Sequence, residues 1–142
     1  MSEDSQNSLR DILGFDGDIY EEMIRSAAQC YSNGDFKMAC SILNGLIQLD
    51  NSDSRAYKLL GSSLLLQKRN ADAEVAYETA VRLDPSDPYT LVALAELKLK
   101  GLKLNEALPY LEQLFKLDPS GQHPAVNRGK TLAADYYEKL QG

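Results

Sequence analysis

The stretch that decides the fold runs from Ala73 to Pro88 and reads AEVAYETAVRLDPSDP. Its first eleven residues place Ala73, Ala76, Tyr77, Ala80 and Leu83 on one stripe at helical spacing. The phrase Leu83-Asp84-Pro85-Ser86 then stops the helix. Leucine closes the apolar stripe, and an aspartate before proline is steered out of helical geometry. Asp87 is placed to cap a following helix, with Pro88 suited to its first turn. The same phrase returns at Leu117–Ser120, 34 residues on, and stands at Leu49–Ser52 one period earlier with Asn51 in the proline's place.

Columns of matched residues extend the period in both directions. Ala39, Ala73 and Ala107 share one column, Leu43, Tyr77 and Leu111 another, and Leu46, Ala80 and Leu114 a third. Upstream of each such helix lies a second helical pattern. In Tyr57–Gln67, YKLLGSSLLLQ, the stripe is Tyr57, Leu60, Gly61, Leu64 and Leu65. A short polar break at Lys68-Arg69-Asn70 joins the two, so each unit is expected to be an αα-hairpin. Small residues at Ala27, Gly61 and Ala95, facing the Ala39 column, let the paired backbones approach closely. Leu64, Leu65 and Leu66 are consecutive, and one helix face cannot bury all three within its own hairpin.

Composition narrows the function. The chain has 142 residues, 44% of them hydrophobic, which suits one compact domain. Apolar runs of about three residues exclude a membrane-spanning helix. The polar, acidic start MSEDSQNSLR is unlike a signal peptide, which gives a cytoplasmic expectation. Residues 1–22 carry seven acids against Arg10 alone, and the rest of the chain is balanced. With no basic stripe, nucleic acid and direct membrane binding are not expected. Cys30 and Cys40 read as buried free thiols, and a single histidine leaves too few ligands for zinc. His123, in SGQHPAV, reads as an exposed loop residue without partners. No phosphate loop, GxSxG or HExxH occurs, so no catalytic residue, cofactor or metal is expected.

These features resemble the tetratricopeptide repeat. Tyr57, Leu60, Gly61, Ala73, Tyr77, Ala80 and Pro85 stand where that pattern expects them. The third unit keeps Leu91, Leu94, Ala95, Ala107, Leu111 and Pro119 but has Leu114 where a small residue is usual. The first keeps Ala27, Gly34 and Ala39. The resemblance implies an all-α, right-handed superhelix. Residues 1–19 form an acidic tail and short helix; 20–53, 54–87 and 88–121 are three repeats; 122–142 is a C-terminal capping helix. In the short helix, Ser8 would cap and Leu9, Ile12 and Leu13 share a side, as a cap, a self-association element or a partly disordered segment, with Gly14 and Gly17 separating it from the first repeat.

Residues 27–61 are more specifically similar to the first two repeats of class II chaperones of bacterial type III secretion. The shared features are Tyr31 and Gly34 at a turn, then Phe36, Ala39, Leu49-Asp50, Asp53-Ser54-Arg55 and Leu60-Gly61. That resemblance implies a non-enzymatic chaperone holding an extended, apolar segment of a secreted translocator in a concave groove. The groove would be lined by Ile24, Ala28 and Tyr31, then Arg55, Lys58, Ser62, Leu65 and Leu66, then Tyr89, Val92, Glu96 and Leu99. It also implies a weak homodimer through Leu9, Ile12 and Leu13. A clamp for chaperone carboxy-terminal tails is not expected, because Ile24, Ala28, Leu59, Tyr89 and Ala93 cannot hold a carboxylate. The other reading of the same repeats is a generic scaffold bridging proteins in a complex.

Overall fold

The structure is a computed structural model describing residues 9–14 and 17–142. Ser8, the expected cap, and the acidic tail before it lie outside the described residues. Among those described, every element is a helix: α1 (Leu9–Ile12), α2 (Gly17–Ser32), α3 (Phe36–Leu49), α4 (Ser54–Leu66), α5 (Asn70–Leu83), α6 (Pro88–Lys100), α7 (Leu104–Leu117) and α8 (Pro124–Gln141). The fold is the all-α helical-repeat class that the spacing predicts. Gly17 opens α2 rather than separating it from α1. The chain divides into two compact units after Leu83, inside the first full copy of the repeated phrase.

The hairpins follow from local chemistry. Asp35, Asp53 and Asp87 cap α3, α4 and α6 by accepting hydrogen bonds from the backbone N–H of Met38, Arg55 and Tyr89 at 3.2, 3.0 and 3.0 Å. Pro88 occupies the first turn of α6, as expected. The repeated phrase closes the preceding helices. The Asp50 carboxylate accepts from the Ser52 N–H at 3.0 Å and hydroxyl at 2.5 Å, and Asp84 from the Ser86 N–H at 3.1 Å and hydroxyl at 2.7 Å. Asp118 accepts from the Ser120 hydroxyl. These side-chain turns form equally well around Asn51, so the proline reinforces the stop without being required for it.

The three hairpin turns repeat one backbone. Gly34, Lys68 and Leu102, each 34 apart, adopt positive φ of 83°, 62° and 61°. The following N–H of Asp35, Arg69 and Lys103 donates back to the carbonyls of Cys30, Leu64 and Lys98 at 2.8, 3.0 and 2.8 Å. Only the first turn uses the glycine that this conformation favours.

In the first unit, Tyr20, Ala27, Leu43, Leu46 and Ala56 form a fully buried cluster. The close crossing of α4 and α5 rests on Gly61, where an added Cβ would stand 3.0 Å from the Tyr77 ring. Ala73 is fully buried in α5. Ala73→Leu is expected to cost about 1–3 kcal/mol by overpacking, read as a lower urea midpoint.

In the second unit, α6 and α7 pair and α8 packs on both. Leu114 is fully buried. Its departure from the small residue of the pattern is matched across the contact by Gly129, where an added Cβ would lie 2.6 Å from Leu114 Cδ2. Lys98 is buried to 4% exposure and donates from Nζ to Glu106 at 3.3 Å. Pro109 sits inside α7 and withdraws one donor from its hydrogen-bond ladder.

Candidate protein-binding site

The implied groove residues lie on α2, α4 and α6, the first helix of each hairpin. The structure sorts them into side chains engaged within the fold and side chains that present surface.

Arg55 belongs to the first class. Its guanidinium donates from Nη1 and Nη2 to Glu21 at 3.0 and 2.7 Å, and from Nε and Nη2 to Asp53 at 3.0 and 2.7 Å. It therefore clamps α2 to α4. The Tyr20 hydroxyl donates to the same Asp53 at 3.2 Å, beneath the Arg10 guanidinium 3.9 Å above its ring. Burial opposes ionisation of Asp53, but the side-chain and backbone hydrogen bonds from Arg55 outweigh it and hold the carboxyl below its ordinary 3.8. The hydrogen bond from Arg55 likewise holds Glu21 below 4.5. Burial first, and the Asp53 charge next, push the Tyr20 hydroxyl well above its ordinary value.

Both carboxyls are lowered in the folded chain, so the clamp's contribution is complete above their ordinary values and fades as pH falls through the lowered ones. The stability difference between the native chain and Arg55→Met is expected to be constant near neutrality. It should shrink below pH 4.5, the ordinary Glu21 value, in denaturant titrations across that range. A difference independent of pH would remove the clamp.

Ser62 is also engaged: its hydroxyl donates to the Lys58 carbonyl at 3.1 Å and shares a 2.9 Å hydrogen bond with the Tyr77 hydroxyl. Glu96 accepts from Arg128 at 2.8 Å and pairs with Lys100 at 3.5 Å, tying α6 to α8. Ile24 is half-buried against the first unit's core. Two expected groove residues present little or no surface: Val92 is buried, and Leu99 is 1% exposed. Leu99 faces residues of α7 and α8, because α8 is long enough to reach the end of α6.

The remaining positions carry surface. Leu64 is buried, Leu65 half-buried and Leu66 52% exposed, so the consecutive leucines divide as helix geometry demands. Ala28 and Lys58 are half-buried. Tyr31 is half-buried with its ring edge-on to Phe36 at 5.7 Å. Tyr89 is 52% exposed and packs edge-on to His123 at 5.1 Å.

His123 corrects its sequence reading. It is half-buried and caps α8, its Nδ1 accepting from the Ala125 N–H at 3.1 Å while its own N–H donates to Asp118 at 2.8 Å. The signal was present in the following Pro124, which marks a helix's first turn. Both cysteines are free, but Cys30 is only half-buried. Among the described residues, no cluster of His, Cys, Asp or Glu could hold a metal, and no helix is long and apolar enough to cross a membrane.

Comparison with known proteins places this geometry. A tetratricopeptide repeat family model matches residues 54–87. No curated relative matches the sequence. Among solved structures, a T3SS complex from Aeromonas hydrophila is similar at TM-score 0.82 and 19% identity, over 98% of this chain and 95% of that one. The Yersinia enterocolitica type III secretion chaperone SycD, in complex with a peptide of the translocator YopD, is similar at TM-score 0.75 and 24% identity, over 87% and 97%. PcrH, in complex with the chaperone binding region of PopD, is similar at TM-score 0.76 and 23% identity, over 89% and 97%. The chain carries a tetratricopeptide repeat at residues 54–87 and shares its fold with these solved structures.

Proposed function

We propose that this protein is a non-enzymatic, cytoplasmic chaperone that holds a hydrophobic secreted translocator of a type III secretion system before export. The observation that carries the reading is the fold shared, over most of both chains, with chaperones solved with a translocator peptide or a chaperone binding region. An extended segment of the client would lie along the first-helix faces, in the concave groove of such repeats. Its anchors would be apolar, because Arg55 is already held by Glu21 and Asp53 and has no fork left for a client carboxylate. Tyr31, Leu65, Leu66 and Tyr89 supply the contact area in this reading. An ordered face meeting a disordered segment loses chain entropy, so a few anchors dominate.

Tyr31→Ala or Leu65→Ala is expected to weaken client binding by about 1–2 kcal/mol or more with helicity unchanged. The client is found by co-purification from the native host and the affinities by calorimetry. Unchanged affinity in both variants would sink the assignment of this face. A resident multiprotein complex in place of a secreted, membrane-active partner would favour the scaffold reading. A weak homodimer would form through Leu9, Ile12 and Leu13, which are 45%, 68% and 62% exposed. Removal of residues 1–16 would then yield a monomer in sedimentation.

A further inference from the structure

The short helix α1 is docked in an inverted sense. An amphipathic helix ordinarily turns its apolar side to the protein and its charges to solvent. Here Leu9, Ile12 and Leu13 are exposed, and no residue of α1 is buried. The side chain turned inward is that of Arg10, the one base among residues 1–22. Its Nη1 pairs with Asp50 at 3.5 Å, the two side chains being only 23% and 15% exposed. Its Cζ stands 3.9 Å from the centre of the Tyr20 ring, which is fully buried in the first unit. Its Nη2 lies against Gly17 at the start of α2, 3.5 Å from where a Cβ would stand. A guanidinium withdrawn from water over an aromatic face is held more strongly than an exposed one.

A helix of four residues does not persist on its own, because nucleation costs more than a single turn returns. Its closing hydrogen bonds run from the Leu13 N–H to the Leu9 carbonyl at 3.0 Å and from the Gly14 N–H to the Asp11 carbonyl at 3.1 Å. With the apolar side chains outside, Arg10 is what fastens this turn to the first unit. The acid it uses already has a task. Asp50 Oδ1 accepts from the Ser52 N–H and hydroxyl, while Oδ2 takes Arg10, so one carboxylate both stops α3 and holds α1.

We propose that Arg10 is a positioning residue for self-association: it docks α1 by its polar flank and so holds Leu9, Ile12 and Leu13 outward, ordered in advance for a second copy of the chain. This rests on the homodimer reading above and adds to it the group that sets the face. A turn ordered beforehand loses less chain entropy on association than a free segment, so Arg10 acts on affinity without touching the partner.

Two measurements on the full chain separate the latch from the dimer. Amide exchange is followed by NMR at Leu13 and Gly14 in an Ile12→Ser background, which removes the apolar contact between copies. There Arg10→Gln is expected to speed exchange at both amides at least about tenfold. Asp50→Asn should act in the same direction, since its amide oxygen still serves Ser52 but carries no charge. Sedimentation then compares chains with Ile12 intact. Arg10→Gln should raise the dimer dissociation constant at least about tenfold. Arg10→Lys, which keeps the charge without the plane that stacks on Tyr20, should fall in between. Unchanged amides in α3 and α4 show that the first unit stays folded. Exchange at Leu13 and Gly14 that is the same with Gln as with Arg would overturn the proposal. So would a dimer indifferent to Arg10→Gln although removal of residues 1–16 abolishes it. A sedimentation profile that this removal leaves unchanged would overturn the homodimer reading itself and, with it, the second copy as the partner.

Discussion

Tyr20→Ala is expected to destabilise the first unit by about 3–5 kcal/mol, the cost of removing a fully buried aromatic side chain. Tyr20 packs with Leu43, Leu46 and Ala56, so its loss opens a cavity where α2, α3 and α4 meet. It also removes the hydroxyl that donates to Asp53. Tyr20→Phe separates the two contributions: the ring stays, Asp53 keeps its Arg55 contacts, and the loss should be about 1 kcal/mol. Because the chain divides after Leu83, global melting can mix two transitions. Hydrogen exchange of amides in α2–α4 reads the relevant one. An Ala variant as stable as the Phe variant would contradict the packing.

The second large effect is a coupled pair. Leu114→Ala is expected to cost about 2–5 kcal/mol from its fully buried site. Gly129→Ala alone should also destabilise, since its Cβ would meet Leu114 Cδ2 at 2.6 Å and Phe115 Cε1 at 3.3 Å, although alanine favours the helix by about 1 kcal/mol. Combined, the two restore the small residue that the repeat pattern usually has at 114 and fill the space opposite it. The double variant should lose less than the sum of the singles by about 0.5–3 kcal/mol. Additivity within about 0.5 kcal/mol would mean that the two do not touch.

The hairpins were legible because their signals are local. Asp87 before Pro88 announces a cap, and the stripe from Ala73 to Leu83 announces a helix within one window. The site was less legible because burial depends on neighbours that periodicity does not name. Leu99 has the spacing of a groove residue, but the length of α8, which determines what covers it, is written forty residues later. Arg55 looked like a ligand cation; only the fold shows that Glu21, 34 residues earlier, already holds it. Gly129 was readable in principle, since it continues the Gly61–Ala95 column, but nothing in its own window says that Leu114 packs opposite it.

The aspartate–serine turns have a further consequence. In each copy of the phrase the closing hydrogen bond spans only two residues and uses side chains of the phrase itself. Neighbouring helices add contacts to the joints, Tyr57 donating to the Asn51 carbonyl at 3.3 Å and Gln113 to that of Pro85 at 2.8 Å, but the closing bond itself lies within the phrase. A 34-residue cassette cut at two joints keeps its own stop, and the segment that follows still begins with a sound one. Copying or excising a hairpin there leaves no orphaned backbone group at the seam, so the number of hairpins can change without redesign of the junctions. The length of the array is then limited by how its apolar ends are covered.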